Sequence, residues 1–286
     1  MDRERLTITL RKSILSKVDD LIDGTKIRNR SHAIEYLITK GLVPKVSQAV
    51  ILAGGKGLHM RPFTFEMPKG LLTVGGKPIL EHIVETLRAF DVREIIFSIG
   101  HLGEKIQEYF GDGKKFGVKI TYVREETPAG TAGALLLTKP HLTSDTFLVV
   151  HGDILIDINI GDLVAFHKEQ DALATIALTS VVDPSSFGEV VLHGAQITHF
   201  IEKPQKGQQT SQLINCGLYV FERDIFDYIP KEKNSLLEDI FPKIAESKHL
   251  SGFLFEGRWV DVGTPESYEE AIRTWGKKKL TIGNTV

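Results

Sequence analysis

From about residue 48 onward the sequence predicts an α/β fold built on a mostly parallel sheet, and two observations carry that prediction. Short apolar runs alternate with longer stretches of helical period: AVILAG, then LEHIVETLRAF, EIIFSIG, EKIQEYFG and KITYV. A sheet covered by helices produces this alternation. The first apolar run also passes directly into a glycine-rich turn, with Gly54, Gly55 and Gly57 at the carboxyl end of the strand, which is where open α/β sheets bind ligands. Ahead of this domain, residues 1–44 carry a separate pattern of one short strand and two short helices.

Bulk properties describe an ordinary globular chain: of 286 residues, 42% are hydrophobic and 25% charged. The net charge of -2 gives no global attraction to nucleic acid or anionic lipid, so any such binding must come from a local patch. Cys216 is the single cysteine. It permits no intrachain disulfide and no cysteine-built zinc site, and is expected to be a small apolar core residue. The charged amino terminus has no apolar run of signal-peptide length, and no stretch reaches 18 apolar residues. The expectation is a cytoplasmic protein with no membrane association.

In the amino-terminal segment Leu6, Ile8 and Leu10 alternate with Arg5, Thr7 and Thr9, the period-2 pattern of a half-buried strand. Ile14, Val18, Leu21 and Ile22 then recur at helical spacing, Gly24 supplies a stop, and Asn29 to Ser31 offer N-cap chemistry for a second helix ending at Gly41. Some 42 residues lie near the lower limit for independent folding, so a partner is expected. The order and spacing of RLTITL, a helix and NRSHAIEYLITKGL resemble the ribbon-helix-helix family of DNA-binding domains. That resemblance implies two chains pairing their strands into a ribbon that enters the major groove, hence a homodimer or higher homo-oligomer. Arg5, Thr7 and Thr9 would face base edges, and Asn29, Arg30 and Ser31 would meet a phosphate at the start of the second helix. The plainer alternative makes Thr7 and Thr9 strand formers on a solvated face of a module that only dimerises.

The stretch LAGGKGLHMRPFTFEMPKGLLTVGGKPIL resembles the opening signature of NDP-sugar pyrophosphorylases, and five further segments follow in that family's order. They are PAGTAGAL at 128–135, FLVVHGDIL at 147–155, FIEKP at 200–204, NCGLYVF at 215–221 and WVDVGTPESY at 259–268. The resemblance implies a nucleotide-diphospho-sugar transferase fold over residues 48–286, a Rossmann-like, mostly parallel mixed sheet. It also implies attack by a sugar-1-phosphate, of glucose or mannose type, on the α-phosphorus of an NTP with release of pyrophosphate. Such a transfer brings two polyanions together, so positioning and charge neutralisation supply most of the acceleration.

By the same resemblance Leu52, Ala53, Gly54, Gly55 and Gly57 cradle the nucleotide, and Pro128, Gly130 and Thr131 close over its base. Asp153 and Asp261 hold Mg²⁺, which prefers hard oxygen ligands. Lys69 meets the reacting phosphates, Glu202 the sugar hydroxyls and Lys203 the sugar phosphate, while Gly188, Asn215 and Thr264 complete the sugar pocket. One position departs from the pattern: where the family carries an arginine against the triphosphate, this chain has His59, with Arg61 two residues on as an imperfect substitute. Histidine has no bidentate fork, so a charge-assisted clamp is lost. Two readings stand at this level: an enzyme using His59 or Arg61 in the arginine's place, and a transcriptional regulator whose second domain senses a nucleotide or nucleotide sugar with little turnover.

Overall fold

The computed structural model describes residues 7–25, 27–42, 46–230 and 234–275. The chain divides into two compact units, residues 1–44 and 45–286.

In the first unit α1 (Lys12–Asp19) and α2 (Arg30–Leu42) form where helical spacing places them. Asn29 caps α2, its Oδ1 accepting the His32 N–H at 2.9 Å. Residues 7–10 form no strand, contrary to the period-2 expectation. A ladder needs a second strand, and the described residues of this unit supply none. Arg5 lies outside the described residues. Thr7 and Thr9 are exposed, but so is Ile8 between them. Arg30 is not free to meet a phosphate as expected, because it forms a two-bond ion pair with Asp19 at 2.6 and 2.8 Å.

The second unit begins with β1 (Gln48–Ala53), a tight hairpin of β2 (Thr73–Val74) and β3 (Lys77–Pro78), then α3 (Ile79–Ala89), β4 (Glu94–Ile99), α4 (Gly103–Phe110), β5 (Lys119–Arg124) and α5 (Gly130–Thr138). It continues through β6 (Thr146–His151), β7 (Ile154–Ile156), α6 (Ile160–Glu169), β8 (Ala174–Ser180), β9 (Gly188–His193), β10 (Gln196–Glu202) and β11 (Leu213–Glu222). α7 (Leu237–Glu246), β12 (Leu250–Leu254), β13 (Trp259–Asp261) and α8 (Pro265–Trp275) complete it. Nine strands form one sheet in the order β5-β4-β1-β6-β11-β8-β12-β10-β9, with β13 and β7 paired beside it.

The half holding β5, β4, β1 and β6 is parallel, as expected. The other half is mixed: β11 runs antiparallel to both β6 and β8, β9 and β10 form an antiparallel pair, and β12 runs parallel to β8. Chain length explains the difference. Only Gly194 and Ala195 separate β9 from β10, and a two-residue connection closes a hairpin, whereas a parallel crossover needs a dozen residues or more. The sheet is therefore mixed, as the resemblance implies, with three of its parallel pairs in the nucleotide-type half and a fourth between β8 and β12.

α3 shows how a sequence face becomes a buried face: Ile79, Leu80, Ile83, Val84 and Leu87 are all buried at helical spacing. The core of the antiparallel half gathers Phe147, Tyr219, Phe221 and Phe241. Cys216, on β11, is buried as expected, and burial pushes its thiol well up. Among the described residues no helix is long and apolar enough to cross a membrane.

One buried polar cluster gives the fold a pH dependence. His167 lies fully buried on α6, with Nδ1 2.8 Å from Thr175 Oγ1 and Nε2 3.1 Å from Glu222. Burial holds the imidazole below its ordinary value of 6.5, outweighing the attraction of Glu222. The unfolded chain therefore takes up a proton near pH 6.5 that the folded chain resists, so this stability is complete above that pH and is lost as pH falls below it. His167→Gln removes this contribution, so between pH 7 and pH 5 the urea midpoint of the variant is expected to fall less, or rise more, than that of the wild type. The same change with pH in both proteins would remove His167 as a contributor.

Candidate active site

The carboxyl ends of the four parallel strands meet along one cleft of about 790 Å³, large enough for a nucleoside triphosphate. β1 delivers Leu52 to Gly57, β4 delivers Gly100, β5 delivers Glu125, and β6 delivers His151, Gly152 and Asp153. Pro128, Gly130 and Thr131 lie along the same cleft at the start of α5, together with Lys69. All eight sequence-predicted nucleotide residues are thus brought together.

Gly54 shows why the turn must be glycine-rich. A Cβ there would fall 2.1 Å from Glu125 Oε1, so any other residue would push that carboxylate out of its place. Glu125 is itself held in place, accepting hydrogen bonds from Ser98 Oγ at 3.1 Å and from the Ala129 N–H at 3.2 Å.

The charged centre comes from three separate elements. Lys69, on a short 3₁₀ turn, places its Nζ 2.5 Å from Asp153 Oδ2 at the end of β6. β13 pairs with β7 so that Asp261 lies opposite Ile154, and the Val262 N–H donates to the Asp153 carbonyl at 2.9 Å. The two carboxylates are therefore neighbours although 108 positions separate 153 from 261. Burial opposes charge on Lys69, but Asp153 and Asp261 outweigh it and hold the ammonium above its usual range. Burial likewise opposes charge on Asp153, where Lys69 and His151 prevail and keep the carboxyl low. Asp261, buried beside an ionised Asp153, is pushed up to about 7. Two acidic groups held together with one cation between them form a centre that attracts further positive charge.

The sugar-side expectations divide. Lys203 Nζ lies 3.4 Å from Glu202 Oε1, and its charge reaches Asp261. Gly188 pairs with Glu202 across the β9–β10 hairpin, leaving room for that carboxylate. Asn215 is anchored within the protein: its Oδ1 accepts the Gly217 N–H and its Nδ2 gives one of its two protons to Tyr219 Oη, both at 2.9 Å. Thr264 is exposed and caps α8 through reciprocal bonds with Ser267. The Thr131 hydroxyl, expected to meet a base, instead accepts the Leu237 N–H at 2.8 Å and donates to Glu238 at 3.1 Å, tying α5 to α7.

His59 and Arg61 depart furthest from expectation. Both are exposed, neither lines the cleft, and the Arg61 guanidinium sits over the Phe65 ring at 5.0 Å. The cation this turn does present to the cleft is Lys56. Sequence reasoning passed over Lys56, Glu125 and His151. Each stands beside a recognised motif, and that adjacency was the signal available.

The arrangement is that of a nucleotide-binding α/β domain with a paired-carboxylate centre, and residues 48–278 match the family model described as nucleotidyl transferase. The chain belongs to that family. It is 36% identical over 250 residues to the mannose-1-phosphate guanylyltransferase catalytic subunit beta of Dictyostelium discoideum, covering 84% of this chain and 69% of the relative. It is 37% identical over 244 residues to the UTP–glucose-1-phosphate uridylyltransferase of Synechocystis sp., covering 79% of this chain and 62% of the relative. The chain thus spans only about 62 to 69% of the length of these relatives. Among solved structures, a Bacillus anthracis protein assigned as a glucose-1-phosphate thymidylyltransferase superposes with a TM-score of 0.74 at 29% identity, covering 81% of this chain and 96% of that one. A UDP-glucose pyrophosphorylase with bound UDP-glucose superposes at 0.72 and 21% identity, covering 80% and 98%, a likeness of fold.

Proposed function

We propose that the second unit transfers a nucleotidyl group from an NTP to a hexose 1-phosphate. A phosphate oxygen of the sugar attacks the α-phosphorus, a new P–O bond forms, the bond to the β-phosphate oxygen breaks, and pyrophosphate leaves. The observation that carries this reading is the Lys69–Asp153 pair with Asp261 beside it, at the mouth of a glycine-lined cleft.

The donor set fits Mg²⁺. Two adjacent carboxylates, one held ionised and the other raised by its neighbour, offer hard oxygens whose mutual repulsion a cation relieves. Among the described residues no cluster of three or more His, Cys, Asp or Glu could hold an ion alone, so phosphate oxygens and water would complete the shell. A bound Mg²⁺ would neutralise charge developing on the phosphates. Lys69 supplies a point charge to the same phosphates, and the backbone of Gly54 to Gly57 admits them without Cβ interference.

For the base, guanine is the proposed partner. Glu125 offers acceptors only, with two oxygens each already taking one hydrogen bond. Guanine presents two adjacent N–H groups, N1–H and N2–H, on one edge. Uracil and thymine present one N–H between two carbonyl oxygens, which a carboxylate repels.

Pyrophosphate release with Mg²⁺, over a panel of GTP, UTP, dTTP and ATP each paired with mannose-1-phosphate or glucose-1-phosphate, tests the reaction. Release with GTP above the others is expected. No release with any pair overturns the catalytic reading.

DNA binding through the amino-terminal unit rests on the sequence pattern alone. We keep it as a proposal. Absence of binding to duplex DNA by the full chain at low salt would remove it.

A further inference from the structure

The antiparallel half of the sheet carries an irregularity with a chemical consequence. The register of β11 against β8 shifts between Asn215 and Tyr219, and Gly217, at the centre of the shift, has φ +76°. Such bulges re-aim side chains and favour the neighbourhood of active sites. Here the bulge lines up a chain of hydrogen bonds whose directions follow from chemistry. The Gly217 N–H donates to Asn215 Oδ1 at 2.9 Å, which fixes the amide and turns Nδ2 toward Tyr219 Oη, also at 2.9 Å. Nδ2 only donates, so the Tyr219 oxygen accepts there and must send its own proton elsewhere. Tyr219 is fully buried, out of reach of solvent, and its other partner is His151 Nε2 at 3.3 Å. His151 Nε2 is therefore the acceptor, and the neutral ring carries its proton on Nδ1.

That Nδ1–H is left available. Among the described residues no hydrogen bond reaches it. A Cβ on Gly217 would lie 3.0 Å from both Cγ and Nδ1, so a side chain there would crowd the ring. His151 lines the cleft at the end of β6, near both Asp153 and Glu202.

We propose that His151 is a sugar-phosphate-binding residue, its Nδ1–H donating to an oxygen of the hexose 1-phosphate, with Tyr219 and Asn215 as positioning residues that hold it in one tautomer. The proposal deepens the nucleotidyltransferase reading and rests on it for the identity of the ligand. The tautomer itself does not depend on that reading.

Steady-state kinetics on the full chain test it, with mannose-1-phosphate varied at saturating GTP and the reverse. A neutral hydrogen bond contributes roughly a five- to tenfold preference. His151→Leu, which retains bulk and removes the donor, is expected to raise the KM for the sugar phosphate by about that factor and leave the KM for GTP unchanged. His151→Asn, whose amide nitrogen can occupy the Nδ1 position, is expected to recover most of the loss. Tyr219→Phe removes only the relay hydroxyl and is expected to produce a smaller rise in the same constant. Nitrogen-15 NMR of the ring, assigned by loss of its signals in His151→Leu, is expected to show the Nδ1–H tautomer in the wild type and a mixture in Tyr219→Phe. Equal rises in both KM values, or no rise in the leucine variant, would overturn the proposal, as would a wild-type ring protonated on Nε2. If the wild type releases no pyrophosphate, the catalytic reading fails separately. Calorimetric binding of mannose-1-phosphate then decides: weaker binding by His151→Leu sustains the contact, and equal binding ends it.

Discussion

Replacing Asp153 with asparagine is expected to abolish most turnover while leaving the metal-free protein at least as stable as the wild type. The activity side follows from the proposed reaction. A carboxylate that anchors charge at the reacting phosphates acts most strongly in the transition state, and loss of one such interaction costs on the order of 10²- to 10³-fold in kcat. The stability side follows from the geometry. Asp153 and Asp261 are neighbours, and burial together with Asp153 pushes Asp261 up to about 7. An acid with a raised folded value loses stability as pH rises from its unfolded value near 3.8 toward 7, so above that range the repulsion is fully present. Asparagine at 153 relieves it, and Lys69 keeps a partner because Asp261 also attracts the ammonium. Thermal unfolding with a chelator at pH 8 should therefore show an unchanged or higher midpoint. A destabilisation of about 3–5 kcal/mol, the cost of stranding one member of a buried ion pair, would show instead that the pair with Lys69 exists to hold the fold. Opposite signs for activity and stability mark groups placed for chemistry.

How far the site could be read from sequence depended on how local its cause was. The glycine turn after β1 and the carboxylate after Gly152 each follow from a strand meeting a loop, so they were legible in the run of residues. Asp261 was legible only through its motif, since its nearness to Asp153 depends on β13 pairing with β7. The resemblance implies a mixed sheet, but which strands run antiparallel is not legible in the strand-helix alternation, which ends near KITYV, well before the Gly194–Ala195 hairpin reverses the chain. His59 inherited its expected role from an aligned position. In the fold the 3₁₀ turn Leu58–Met60 buries Met60 and leaves His59 exposed. Thr131 and Thr264 were expected at the ligand, yet their hydroxyls are used within the protein, one anchoring α7 and the other capping α8. Glu125 and His151 had no such expectation. A glutamate in the run REETP reads as a solvated loop residue, and only the packing of Gly54 against it shows that it faces the cleft.

That glutamate gives the second large effect. Glu125→Gln is expected to move base preference from guanine toward uracil or thymine, changing the ratio of kcat/KM for GTP and UTP by roughly tenfold to a hundredfold, as about 1–3 kcal/mol of paired hydrogen bonding would do. The substitution is gentle on the fold. The glutamine oxygen can still accept the Ala129 N–H, and its amide can donate to Ser98 Oγ, because a hydroxyl serves in either role. What changes is the face toward the ligand. A carboxylate is all acceptor and suits two adjacent N–H groups, whereas an amide presents one donor and one acceptor and suits the N–H and carbonyl of uracil. Removing the charge also ends its repulsion of the pyrimidine carbonyls, so UTP should gain while GTP loses. A fall in both ratios together would mean that Glu125 serves only to pin the loop to β4, and an unchanged ratio would place the base elsewhere in the cleft. The relatives divide in the same way, one named for guanylyl transfer and the other for uridylyl transfer at similar identity to this chain.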